Sequence, residues 1–584
     1  MIIQDASSIP RLSAHALNYS PPPSSPHLGI YDTNPLEIDT DGFLQSTQRA
    51  GGPYLCSLPT DSIYPSPDST LKGEEDAIKN HVIQILTEEG IDNPHIDLFD
   101  RASKVTPEET PVPTVLITVQ QSDSSKTWRN AAKRIFNECL ARYNPQASVE
   151  IISSALSNSP LPFPIEPTDG IFHVWPQVRD TILNELDITE WTGLECWRYG
   201  HHRHQEHSDL NPPTIIISIK LDSVRQFDAD MQKIVQILIQ NEVTDCAVLF
   251  MKDEFRRYSY THHLAPLARL EGFSHQVQPG MSIGIHDDTA TSATLGGVVE
   301  IQMEGDSSWR RFNLACFHSV YPDLPGQQEK LDEIPGARES LERWRWNAPG
   351  FEDSLVRKVL RVDQPSLFDV QDAIKRAGHD ETKRTELQGF VDDKSYYLGE
   401  VCAGSGLWRT RTRDIHNETN KPGLLDWALI DVVKERQGPN TPYLSTSETP
   451  PTLSKTSNPP LPHGTELQNT GRKIPCTSTE HSPLVQVPIS QARDTEGNTV
   501  PRPTYEHGMG VYPRSYLGGG GSSLPPFAKP GDAGSFVVDA DGCVVGMLIG
   551  GFVCKETVYY TRIKNLLDDV REVTGAGNVQ LALE

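Results

Sequence analysis

Two short β-branched runs stand out in the first half of the chain, Pro113–Val119 and Pro213–Ile219, each bounded by proline and polar residues, and both predict strands. Each follows a stretch with apolar residues at helical spacing, Asp76–Ile91 and Val174–Ile188. Each precedes a second helical stretch, around Trp128–Tyr143 and Asp228–Asn241, and then an apolar strand, Val149–Ile152 and Ala247–Met251. The order helix, strand, helix, strand is thus used twice. It predicts an internal duplication of a small α+β unit, residues 76–170 and 171–272, with the copies packed side by side. Upstream, residues 1–75 carry proline-serine clusters and no sustained period, which predicts a flexible leader.

The pattern changes near Pro279 and Gly280. From there to residue 584, short apolar runs alternate with turn residues, the mark of an all-β barrel architecture. Two insertions interrupt it. Residues 325–395 are charged and partly helical, and residues 436–485 are rich in Pro, Ser, Thr and Asn, which predicts a disordered loop.

Composition narrows the functions open to the chain. A net charge of −26 argues against nonspecific binding to nucleic acid or to membrane surfaces, both of which want basic patches. The first residues lack a basic stretch followed by an apolar one, and the run Val544–Val553 is broken by glycines and too short to span a bilayer. The nine cysteines are dispersed without CxxC pairs, which reads as reduced thiols in an intracellular, cytoplasmic protein.

Acyl transfer by a hydroxyl nucleophile needs a base, a carboxylate that fixes the base's tautomer, a hydroxyl on a tight turn, and backbone amides that receive the oxyanion. His318 ends the apolar run Asn313–Phe317, and Asp426 immediately precedes the apolar run Trp427–Ile430; either alone is an ordinary strand-edge residue. The segment Pro530–Val538 is more informative. Gly531 and Gly534 flank a tight turn that enters a β-branched strand, a geometry able to aim successive amides at one point. Asp541-Gly542 then predicts a hairpin with a return strand from Val544 to Gly551.

With these residues in place, the chain over 279–584 resembles the chymotrypsin-like (trypsin-like) serine peptidases, in particular the intracellular, disulfide-free members found in many fungi. That family carries its nucleophile in a GDSG motif, and here the stretch Gly531–Gly534 reads GDAG. The resemblance implies a double β-barrel, with His318 as base, Asp426 as its orienting carboxylate and Ala533 at the nucleophile position. It further implies an oxyanion hole from the amides of Gly531 and Ala533, and a substrate-binding edge at Met547–Gly551 that includes Ile549, Gly550 and Gly551. Phe527 is implied near the floor of the specificity pocket, which argues against Lys or Arg there. The first barrel hairpin falls at Ser282–Gly284 and Thr294–Val298, and the family's closing strand and helix at Val558–Ile563 and onward, with Ile563, Leu566, Leu567 and Val570 on one helix face.

Ala533 departs from the pattern. Losing the nucleophile of a triad costs on the order of 10^6 in turnover and leaves about 10^3 to 10^4 over water. The expectation is therefore a pseudoprotease that holds an extended peptide or a protein partner without cutting it. The alternative is an active serine endopeptidase represented by a Ser-to-Ala variant or using Ser535; the scaffold role is the simpler one for Ser535, since the strand begins there. No apolar amino terminus of the IVGG type precedes the barrel to pair with Asp532, so that aspartate needs other hydrogen bonds. Cys543 reads as a packing residue and Trp344-Arg345-Trp346 as the face by which the inserted helix docks. His201, His202, His204 and His207 with Glu206 read as an exposed loop and not a metal site, and neither metal nor cofactor is expected.

Overall fold

The computed structural model describes residues 42–583 except 47, 66–68, 105–109, 121–122, 124–126, 155–159, 201–209, 259–275, 378–379, 416–417, 444–450, 458–460, 472–477, 494–498 and 511–526. The histidine cluster at 201–207 lies outside the described residues. So does most of the leader, but its last part is not loose. Leu44–Gln45, Arg49–Gly52 and Thr60–Ile63 form strands in a six-stranded sheet with His95–Ser103, Val112–Val119 and Ser148–Ser153. Arg49 explains the anchoring: it is buried and donates through Nε to Glu150 at 2.7 Å and through Nη2 to the carbonyl of Cys56 at 2.7 Å.

Both N-terminal units use one connectivity. In the first, His95–Ser103 pairs antiparallel with Val112–Val119, and the chain passes through the helix Trp128–Arg134 to Ser148–Ser153, which lies parallel to Val112–Val119. In the second, Trp191–Gly200 pairs antiparallel with Pro213–Ile219, and Asp228–Gln240 leads to Ala247–Lys252, parallel to Pro213–Ile219. A parallel neighbour requires such a crossover, which is why a helix recurs at that point. The antiparallel strands His95–Ser103 and Trp191–Gly200 are additional to the predicted order. They mix polar with apolar residues and carry little period of their own.

The units do not pack simply side by side. Trp191–Gly200 also pairs with Val485–Arg493, at Leu194 opposite Val487. The second unit therefore belongs to a 13-stranded sheet shared with the C-terminal strands Val485–Arg493, Glu506–Gly510, Thr557–Arg562, Val544–Phe552, Phe536–Asp539 and Glu466–Asn469. The seam is apolar and polar at once: Trp175 Nε1 donates to the carbonyl of Val485 at 2.8 Å, and buried Lys555 pairs with buried Glu195.

A separate eight-stranded sheet collects Ala293–Thr294, Ser282–Ile285, Arg361–Asp363, Tyr397–Gly404, Ala428–Val432, Arg310–Ala315, Val298–Met303 and Ala576–Leu581. The charged insertion covers it with helices, among them Ala337–Trp344, which buries Ala337, Leu341 and Trp344. Trp344 Nε1 donates to Asp353 at 2.8 Å, while Trp346 stays partly exposed under the guanidinium of Arg502. The loop predicted over 436–485 is more ordered than its composition suggests. Glu466–Asn469 and Ser478–Glu480 are paired strands, and Leu453 is wholly buried.

The predicted docking face of the last helix, Ile563–Thr574, buries Ile563, Leu566 and Val570. Gly575, at φ +66°, ends it in the left-handed conformation that glycine adopts without steric cost. The chain then adds the unpredicted strand Ala576–Leu581 to the eight-stranded sheet beside Val298–Met303. Among the described residues eight cysteines are free thiols, and no helix is long and apolar enough to cross a membrane.

Candidate active site

Three chain turns, one from the eight-stranded sheet and one from the 13-stranded sheet with a loop between them, supply the predicted triad positions. Arg310–Ala315 runs into a short 3-10 turn, Phe317–Ser319, that carries His318. Asp426 sits in the link between Glu418–Leu424 and Ala428–Val432. Its neighbours hold that link rigid: Trp427 donates its backbone N–H to Ser405 Oγ at 3.0 Å and its Nε1–H to Asp569 at 2.8 Å.

His318 and Asp426 are joined by two hydrogen bonds. The Nδ1–H of His318 donates to Asp426 Oδ2 at 2.5 Å, and the backbone N–H of His318 donates to Asp426 Oδ1 at 3.0 Å. Both carboxylate oxygens are thus committed to one residue, which fixes the ring's tautomer and plane. His318 Nε2 is buried and has no hydrogen-bond partner among the described residues. Burial would push the Asp426 carboxyl up, but the charges of His318 and Arg257 and the His318 hydrogen bonds outweigh it and bring it down to about 2. Burial pushes the His318 imidazole below its usual value; Asp426 opposes this without cancelling it, and Arg257 adds to it.

The turn at Ala533 is preformed. Gly531 and Gly534 lie at φ +96° and +95°, where a side chain would be strained, and a Cβ on Gly534 would meet the carbonyl of Thr294 at 2.2 Å. Thr294 clamps the turn from outside, donating Oγ1–H to the carbonyl of Gly531 at 2.7 Å and its N–H to that of Ala533 at 2.9 Å. Asp532, buried, accepts from the N–H of Lys529 at 2.8 Å, and its Oδ1 has no hydrogen-bond partner among the described residues. That answers the question raised by the missing apolar amino terminus: the aspartate is held by its own turn. Ser535 donates Oγ–H to the carbonyl of Asp532 at 2.7 Å and is fully buried. Its hydroxyl closes the turn, the scaffold role that a serine at the start of the strand takes.

One carbonyl brings the two turns together. Leu548 O accepts from the N–H of Gly534 at 2.9 Å and from Cys316 Sγ at 3.3 Å. The strand Val544–Phe552 shifts register between Leu548 and Gly550 against Thr557–Arg562, an irregularity that frees this carbonyl for the site. Cys316 is a site residue that spacing did not reveal. Its sulfur lies within 4.8 Å of the ligand atoms of His318 and Asp426, but burial first and then the Asp426 charge push its thiol well up, so it is not a ready nucleophile.

The predicted oxyanion amides and the predicted binding edge are both engaged, by residues of the chain itself. Gly531 N–H donates to the carbonyl of Tyr258 at 2.7 Å, and Ala533 N–H approaches the same oxygen at 3.4 Å, a longer and weaker contact. Phe255–Arg257 pairs antiparallel with the edge, with Phe255 opposite Phe552, Arg256 opposite Gly551 and Arg257 opposite Gly550. Tyr258 N–H donates to the carbonyl of Ile549 at 3.2 Å. Tyr258 is buried in the same apolar cluster as Phe527. Ile549, Gly550 and Gly551 are therefore all in contact with an extended peptide, and the Phe527 carbonyl accepts from Asn469 Nδ2–H at 2.9 Å.

No family model matches the chain. Among curated proteins it is similar to glyceraldehyde-3-phosphate dehydrogenase of Phytophthora infestans, 28% identical over 125 residues, covering 21% of this chain and 36% of that protein. It is also similar to glyceraldehyde-3-phosphate dehydrogenase 1 of Mucor circinelloides f. lusitanicus, 26% identical over 162 residues, 26% of this chain and 45% of that protein. The chain thus spans less than half the length of either. Among solved structures it is similar to a glutamic acid specific serine protease, 10% identical, covering 52% of this chain and all of that one, with a TM-score of 0.25. Nocardiopsis protease matches at 12% identity, 52% of this chain and 98% of that one, TM-score 0.23. Cellulomonas bogoriensis chymotrypsin matches at 12% identity, 32% of this chain and 76% of that one, TM-score 0.19.

Proposed function

We propose that residues 279–584, together with the segment that fills their edge, form a chymotrypsin-type serine-protease homologue that binds extended peptide and does not hydrolyse it. One observation carries the reading. A histidine oriented by a buried aspartate has Nε2 left without a partner; Leu548 O links the turn of Cys316, two residues before it, to a tight turn whose amides converge on a peptide carbonyl and which bears alanine where a hydroxyl is needed. On this reading the eight-stranded sheet and the C-terminal part of the 13-stranded sheet correspond to the two barrels, and the repeated N-terminal units are a recognition or regulatory module arisen by duplication. The protein acts inside the cell on a peptide or protein partner, and neither nucleic acid nor a membrane surface is its ligand.

A fluorophosphonate probe tests the chain as it stands. It should remain unlabelled, and peptide hydrolysis should stay at background. Labelling of Ser535, or turnover at an ordinary enzymatic rate by the purified chain, would overturn the reading. A second reading, a serine endopeptidase of which this chain is a Ser-to-Ala form, is favoured by the intact His318–Asp426 pair and the intact amides.

A further inference from the structure

The segment Phe255–Tyr258 occupies the cleft in the pose of a substrate. Its strand is antiparallel to Val544–Phe552, which is the mode of peptide recognition by strand addition. The N–H of its last residue donates to the edge, at Ile549, and the carbonyl of the same residue lies on the amides of Gly531 and Ala533, where charge develops in acyl transfer. The cleft is shaped around it. A Cβ on Gly550 would lie 2.3 Å from the carbonyl oxygen of Arg256, and one on Gly551 would lie 2.8 Å from the Tyr258 hydroxyl.

The segment is also delivered firmly. Asp253, buried just upstream, accepts from the N–H groups of Cys554 at 3.3 Å and Lys555 at 3.0 Å, which ties the approach to the far end of the edge strand. Phe255 packs edge-on against Phe552 and Tyr559 at 5.9 and 5.8 Å between ring centroids. The Arg257 guanidinium donates to the carbonyl of Leu407 and lies 4.0 Å from the Trp408 ring centroid. Its charge reaches both His318 and Asp426. These contacts come from the 13-stranded sheet and from the loop after Tyr397–Gly404, and incidental crossing of a loop over a surface would not satisfy so many backbone groups at once.

We infer, resting on the reading above, that the cleft's substrate is the chain's own Phe255–Tyr258, a peptide whose pocket-filling side chain is aromatic, and that the bond after Tyr258 is the one the site is built to cut. Without a hydroxyl at position 533 the segment stays in place and closes the cleft to other peptides. With one, the hydroxyl oxygen would bond to the Tyr258 carbonyl carbon while its proton passes to His318 Nε2. The C–N bond to Ser259 would then break, with His318 returning that proton to the leaving amine. Water, giving a proton to His318, would split the ester, regenerate the hydroxyl and leave Tyr258 as a carboxyl terminus.

The test is Ala533→Ser in the full chain, read by intact mass. The expected result is near-complete conversion to two pieces divided between Tyr258 and Ser259, at a rate independent of protein concentration because both partners are in one molecule. A cut elsewhere overturns the inference. An uncut Ala533→Ser chain overturns it alone if Ala533→Ser/Tyr258→Asp, whose cleft is emptied, takes the fluorophosphonate label. If neither variant is cut or labelled, although both melt like the parent, the protease-type reading falls with it. Should Ala533→Ser misfold, the parent chain still decides: a fluorescent Phe-Arg-Arg-Tyr amide should bind Tyr258→Asp and not the parent. Equal binding to both chains, or binding to neither, overturns the inference.

Discussion

The amide of Gly531 donates to the carbonyl of Tyr258 at 2.7 Å across 273 positions of sequence. One glycine-flanked turn and the strand Val544–Phe552, with which Phe255–Arg257 pairs, make that contact possible.

Gly550→Ala should expel the segment without harming the rest of the fold. The nearest atoms a Cβ at 550 would meet all belong to Arg256 and Arg257, the closest at 2.3 Å. Brief trypsin treatment should then cut after Arg256 or Arg257 much faster than in the parent, where both are locked in the sheet, with sites mapped by mass. Unchanged resistance would mean that the pairing is not what protects them.

Acidification should weaken the fold in two steps, both of one sign. The folded pKa of His318 lies below its unfolded value, so the unfolded chain binds the proton first and stability falls as pH drops below about 6.5. Asp426 is lowered from 3.8 to about 2, so its contribution is complete above 3.8 and is lost as pH falls from there towards 2. That shift corresponds to stabilisation on the order of 2 kcal/mol. Asp426→Asn should lower the urea midpoint at pH 7 and flatten the lower step of the pH profile.

Arg257→Met should raise the titration midpoints of both His318 and Asp426, because the guanidinium charge lowers each. Histidine ring resonances followed against pH would give the first directly. The same change removes a charged hydrogen bond and an aromatic contact, which together cost about 1–3 kcal/mol. A fall in the His318 midpoint would contradict the electrostatic account.

Lys555→Met should destabilise the chain by about 3–5 kcal/mol, since it leaves Glu195 buried without its cation. Glu195 also accepts from the Tyr559 hydroxyl and from Trp197 Nε1–H, so the damage would spread along the seam where the second N-terminal unit joins the C-terminal strands of the 13-stranded sheet. Lys555→Met/Glu195→Gln should recover part of the loss, read as urea midpoints of the three chains.

His318, Asp426 and Ala533 could be singled out because each sits at the end of an apolar strand, where period and turn chemistry both speak: Asn313–Phe317 before His318, Trp427–Ile430 after Asp426, and two glycines around Ala533. Phe255–Tyr258 was illegible for the converse reason. Phe-Arg-Arg-Tyr has no strand pattern of its own and becomes one only because Val544–Phe552 offers an edge. Glu195 and Lys555 were likewise unreadable, since each is buried only by virtue of the other, 360 positions apart. Residues 44–63 looked like leader because they show no sustained hydrophobic period, and their order comes from strands that follow later in sequence.

The 13-stranded sheet crosses the place where Tyr258 ends, since Leu194 and Val487 are paired within it and Lys555 lies on Glu195. A nick after Tyr258 would therefore change connectivity but not cohesion. The product would migrate as a single species on a native gel and come apart into two polypeptides only in denaturant. By the same logic, either half expressed alone would carry a raw strand edge into solution and precipitate, while co-expression of the two would restore solubility.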